Sequence, residues 1–114
     1  MALLEIVVTH PAEIAIAREG GADRLELCAA LETGGVTPSL GLVREARASG
    51  LPFVVMLRPR PGGFVYDDAA FRAMLADAET VLAEGAEGVV VGLLRPDRTI
   101  DDARVAEVVR VASG

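Results

Sequence analysis

Glu19-Gly20-Gly21-Ala22-Asp23-Arg24-Leu25-Glu26-Leu27 returns 64 residues later as Ala83-Glu84-Gly85-Ala86-Glu87-Gly88-Val89-Val90-Val91. In both copies glycine closes a helical pattern and strand-forming residues follow. Working outward, Leu3 to Thr9 reads as a first strand. His10-Pro11 opens a helix, with Pro11 at the first helical position, where its missing N–H is harmless. Arg24 to Ala29 is the second strand. A loop, Leu31 to Val36, leads to Thr37-Pro38, a second cap-plus-proline start, and a helix from Ser39 to Ser49 stops at Gly50. Pro52 to Arg58 is the third strand, followed by a Pro- and Gly-rich loop from Pro59 to Tyr66. Asp67-Asp68 marks a helix N-terminus, where the dipole favours negative charge. Phe71, Met74, Leu75, Ala78, Val81 and Leu82 then form one apolar stripe at helical spacing. Gly88 to Leu94 is the fourth strand, and Asp101 to Ala112 the fourth helix, expected to bury Val105, Val108 and Val109. Strands alternating with helices form right-handed βαβ units around a parallel sheet. A repeat of two βα units is the pattern of a (β/α)8 barrel, which needs ~250 residues. The expected fold is therefore α/β: one parallel (β/α)4 unit over residues 1–114, half of a TIM (β/α)8 barrel.

Composition narrows the function. Eleven arginines, no lysine and 17 acidic residues leave a net charge of −6. That balance disfavours nucleic acid and anionic membrane, both of which need clustered cations. An apolar fraction of 52% is too high for disorder. No uncharged run approaches the ~18 residues of a spanning helix. Met1 to Val8 has no basic segment and carries Glu5 within its apolar stretch, so it does not read as a signal peptide. The single cysteine excludes an internal disulfide and fits a reducing, cytoplasmic setting.

Strand alternation locates the candidate site. Leu25 and Leu27 belong under the helices, so Arg24, Glu26 and Cys28 face the lumen. By the same rule Leu4, Ile6 and Val8 pack outward, while Glu5, Val7 and Thr9 face inward. Phe53, Val55 and Leu57 go outward, and Val54, Met56 and Arg58 inward. Buried carboxylates must pair. Arg58 is the natural bidentate partner for Glu26 or Glu5, with Arg24 near the bottom rim. Two readings stand. One is a structural ion pair that fixes strand register. The other is a polar site at the C-terminal strand ends, where barrel active sites lie. In the second, Glu5 or Glu26 is the acid or base and Arg24, Arg58 and Arg60 bind a small anionic substrate. Gly34-Gly35-Val36-Thr37-Pro38-Ser39 offers free N–H groups and the hydroxyls of Thr37 and Ser39 to an anion, or simply caps the next helix. Tyr66 either closes over a ligand or packs. His10 is a turn residue or a rim proton carrier. Cys28 is a small core residue, or a thiolate near arginine able to bind a soft metal.

Three ordered motifs carry a family resemblance: Gly20-Gly21-Ala22-Asp23-Arg24-Leu25-Glu26-Leu27-Cys28; Gly34-Gly35-Val36-Thr37-Pro38-Ser39-Leu40-Gly41; and Leu57-Arg58-Pro59-Arg60 followed by Phe64 and Tyr66. Together with the opening Met1-Ala2-Leu3-Leu4-Glu5-Ile6, the chain resembles the N-terminal half of the CutC copper homeostasis family. The resemblance implies a single (β/α)8 barrel in family members, copper tolerance, Cu(I) binding and a cytoplasmic location. It marks Glu5, Arg24, Glu26, Cys28, Arg58 and Arg60 as polar lumen positions. It also shows departures: Val7 stands where the family often has Cys, Gly63 where it usually has Asp, and His10 where it more often has a small polar residue. Under this reading Cys28 is the soft copper ligand and the inward Met56 a second donor. A half-barrel also leaves two sheet edges and a lumen face open, so self-association or a complementary half-barrel chain is the expected partner.

Overall fold

In the computed structural model, which describes residues 1–114, β-strands and α-helices alternate four times. The elements are β1 (Glu5–Val8), α1 (Pro11–Glu19), β2 (Arg24–Leu27), α2 (Leu40–Ser49), β3 (Phe53–Met56), α3 (Asp68–Ala83), β4 (Gly88–Val90) and α4 (Asp102–Ser113), with a short 3₁₀ turn at Leu31–Thr33. The sheet runs β1-β2-β3-β4 and every pairing is parallel. The expected (β/α)4 arrangement is the one found.

Side chains divide between the faces as the alternation requires. Val8, Leu25, Leu27, Phe53, Val55 and Leu57 are buried at 2% exposure or less. They join Ile14, Val43, Phe71, Met74 and Val81 in one core between sheet and helices. The register aligns Glu5 with Arg24, Val7 with Glu26 and Glu26 with Val54, so these residues share the opposite face.

The strands are shorter than their sequence patterns because their C-terminal ends leave the ladder for the loops. Ala29 bridges back to Val36, and the Leu94 N–H donates to the Phe64 carbonyl rather than extending β4. The second helix also begins later than Thr37-Pro38 implies. Ser39 is its cap and accepts from the Leu42 N–H at 3.2 Å. The Thr37 hydroxyl instead accepts from the Arg58 backbone N–H at 2.9 Å, pinning this loop to the end of β3.

Two residues expected under the helices are not covered. Leu4 is 48% exposed and Val109 54% exposed. Leu4 precedes the edge strand β1. Val109 lies on α4, which packs against α3 through its other face, where Val108 is buried.

Candidate functional site in the lumen

The lumen face has three levels. At the N-terminal ends of the strands, Arg24 Nε donates to Glu5 Oε2 at 2.7 Å and Arg24 Nη1 lies 3.5 Å from Glu87 Oε1. Glu5 and Arg24 are thus engaged with each other, at the end of the sheet opposite the one where barrel active sites form. The pairing of Arg58 with Glu26 or Glu5 does not occur.

Glu26 occupies the middle level, flanked by Val7 and Val54 in the register. It is half-buried and forms no ion pair. Burial raises its pKa above the usual carboxylate value, and the charge of Glu5 adds to the effect.

At the C-terminal level Cys28 is almost fully buried. Burial raises its thiol pKa, and the carboxylates of Glu26 and Glu13 push the same way. The thiol is therefore held protonated, and the expected activation by a nearby arginine is not seen. Gly35 borders both sulfur side chains. A Cβ placed on Gly35 would lie 3.5 Å from Cys28 Sγ and 3.8 Å from Met56 Cε. The bare glycine backbone, at φ +92°, leaves the two sulfur residues facing one small space.

Arg58 fastens the mouth. Its Nη1 donates to the Thr33 carbonyl at 3.1 Å and the Gly35 carbonyl at 3.0 Å, and its Nη2 to the Gly62 carbonyl at 2.7 Å. The guanidinium also stands over the Phe64 ring, 5.2 Å from its centroid. Gly34 sits against this clamp at φ +96°, and a Cβ there would come within 2.9 Å of Arg58 Nη1. Arg60 holds its own loop, donating to the carbonyls of Pro61, Gly63 and Val65 and lying 4.8 Å over the Tyr66 ring. Tyr66 packs into the core rather than over a ligand. His10 stays at the surface beside Glu13, 3.7 Å away.

Sequence reasoning brought Cys28, Met56, Glu26 and Arg58 to one face and named Gly35 and Phe64 as motif members, but not the contacts they make with the sulfur residues, Arg58 and Gly92. Phe64 lies across Gly92, where a Cβ would meet its ring at 2.9 Å. The signal for this close approach was Gly92, a glycine interrupting a run of Val and Leu. No cluster of three or more His, Cys, Asp or Glu side chains is placed to hold a metal ion. The largest concavity, about 430 Å³, lies between α1 and α2 on the outer surface, away from this face.

Four parallel βα units with a polar inward face define half of a (β/α)8 barrel. Residues 2–114 match the model of the CutC family, and the chain belongs to that family. It is 47% identical over 111 residues to a CutC family protein of Mesorhizobium japonicum, covering 96% of this chain and 43% of that protein. It is 46% identical over 112 residues to one of Agrobacterium fabrum, covering 98% and 45%. A crystal structure provisionally named as the copper homeostasis protein CutC of Streptococcus agalactiae superimposes with a TM-score of 0.90 at 30% identity, over 100% of this chain and 56% of that one. The chain spans less than half the length of these curated relatives. No helix is long and apolar enough to cross a membrane.

Proposed function

We propose that the chain serves copper homeostasis in the cytoplasm, receiving Cu(I) between the Cys28 thiolate and the Met56 thioether at the C-terminal end of the lumen. The observation that carries this reading is the convergence of both sulfur side chains on the bare backbone of Gly35. Thiolate and thioether donors select Cu(I) over harder ions such as Mg²⁺ and Ca²⁺. The name of the streptococcal structure supports the same role. Binding displaces the thiol proton, because only the thiolate is a ligand. A competing reading, an enzyme for a small anionic substrate with Glu26 as acid or base, has less support. The guanidinium groups of Arg58 and Arg60 are engaged by loop carbonyls, and that of Arg24 by Glu5.

The test is an anaerobic Cu(I) titration against a competing chromophoric chelator. The expected result is one Cu(I) per chain, lost in Cys28→Ser and weakened in Met56→Leu. Equal binding by the Cys28→Ser chain would remove this reading.

A further inference from the structure

We infer that Arg58 is the positioning residue of the sulfur pair, an inference that rests on Cu(I) binding between Cys28 and Met56. It straps the loop of residues 33–37 across the ends of β2 and β3 and so fixes the spacing of the two donors. Every contact involved lies within the second and third βα units.

The two sulfur residues are neighbours by register. Leu25 aligns with Phe53, Glu26 with Val54 and Leu27 with Val55. One step further brings Cys28 beside Met56, on the inward face that Glu26 and Val54 share. Adjacent strands run ~4.8 Å apart, so the two side chains can hold one ion between them only while the strand ends keep that spacing. The β2–β3 pairing, however, stops at Leu27 and Val55. The loop takes over from it. Next to Cys28, Ala29 and Val36 exchange two backbone hydrogen bonds, both at 2.9 Å. Two residues past Met56, the Thr37 N–H donates to the Arg58 carbonyl at 3.0 Å, and the Arg58 N–H to the Thr37 hydroxyl at 2.9 Å. Val36 and Thr37 are consecutive, so one short segment is tied to both strands.

The guanidinium completes the strap. Nη1 holds the carbonyls of Thr33 and Gly35, and Nη2 that of Gly62. Gly35 is thereby kept where a Cβ would lie 3.5 Å from Cys28 Sγ and 3.8 Å from Met56 Cε. Arg58 is the only charged side chain that the fold buries, at 8% exposure, and its hydrogen bonds all go to main-chain carbonyls rather than to a carboxylate. A buried cation without a counter-ion is costly, and a neutral side chain would fasten a single carbonyl without that penalty. Only the planar fork of a guanidinium spans three at once. Groups that orient the ligands of a metal, without touching the metal, govern its affinity.

The test is Cu(I) affinity against a competing chelator, together with X-ray absorption at the copper edge, each chain being held well below its melting temperature. Arg58→Leu should bind Cu(I) ~10–100-fold more weakly than the parent, with one sulfur neighbour at copper where the parent has two. Arg58→Lys keeps the charge but loses the fork, and should stay weak. Val108→Ala removes buried packing on α4; it should melt lower yet keep the parent affinity and spectrum. Parent-like affinity and spectrum in Arg58→Leu, full affinity in Arg58→Lys, or an equal loss in Val108→Ala would each overturn the strap while leaving copper binding intact. A parent that binds no Cu(I), or binds it as well after Cys28→Ser, removes the copper reading itself and the strap's role with it. Should Arg58→Leu not fold, Thr37→Val decides. It keeps the shape of the side chain and removes the acceptor of the Arg58 N–H, so binding should weaken ~10-fold; an unchanged affinity would overturn the proposal.

Discussion

Replacing Arg58 by Met should unfasten the mouth of the half-barrel, and the structure sets the size of the effect. Three guanidinium bonds disappear. The carbonyls of Thr33 and Gly62 belong to exposed residues, so water takes over there. Gly35 is buried, and its stranded carbonyl costs about 1–3 kcal/mol. Loss of the cation over Phe64 adds about 1 kcal/mol. Against this, a methionine side chain needs no hydrogen bonds, whereas Arg58 Nε is buried without a partner; that relief returns about 1 kcal/mol. The net loss is about 1–3 kcal/mol. For a chain of this length that corresponds to a melting temperature lower by about 4–12 °C. Urea unfolding followed by circular dichroism, at one fixed protein concentration because association shifts apparent stability, measures it directly. Arg58→Lys should recover less than half of the loss, since one ammonium cannot span three carbonyls in a planar fork. A loss below about 0.5 kcal/mol, or full rescue by lysine, would refute the clamp.

Two further substitutions probe separate parts of the structure. Asp77 lies half-buried on α3, and burial raises its carboxyl pKa. A raised native pKa favours the fold below the unfolded value, and that advantage is lost as pH rises through the native value. Asp77→Asn should therefore match the parent in acid and melt higher at neutral pH, and an equal gap at both pH values would contradict this. Gly34→Ala combines positive φ with a close approach to Arg58 Nη1; it should cost about 1–3 kcal/mol in thermal unfolding, with no change refuting the fit.

The parts of the fold legible in the sequence are those governed by short-range rules. Leu25-Glu26-Leu27 reveals its two faces because a strand repeats every second residue, and Gly20-Gly21 and Gly85 stop helices by backbone geometry alone. Arg58 was placed on the correct face and given the wrong partner. A guanidinium on a long stem reaches carbonyls of distant loops, and main-chain oxygens have no signature in a residue string. Ser39 and Thr37 are both good caps; which one serves was decided by the Arg58 N–H just beyond the end of β3. Val109 looked like core because apolar spacing alone does not say which side of α4 is covered. Cys28 and Met56 were both read as inward, but their meeting at Gly35 depends on the path of a loop.

The guanidinium groups of Arg58 and Arg60 donate hydrogen bonds only to main-chain oxygens and otherwise rest on the Phe64 and Tyr66 rings, and this has a consequence for variation. The fastening asks nothing of the side chains at Leu31, Glu32, Pro61 or Val65, whereas Gly34 and Gly35 both hold positive φ and a Cβ on Gly34 would come within 2.9 Å of Arg58 Nη1. Lineages of this protein are free to repaint the rim of the opening, altering its charge and texture, without reshaping it.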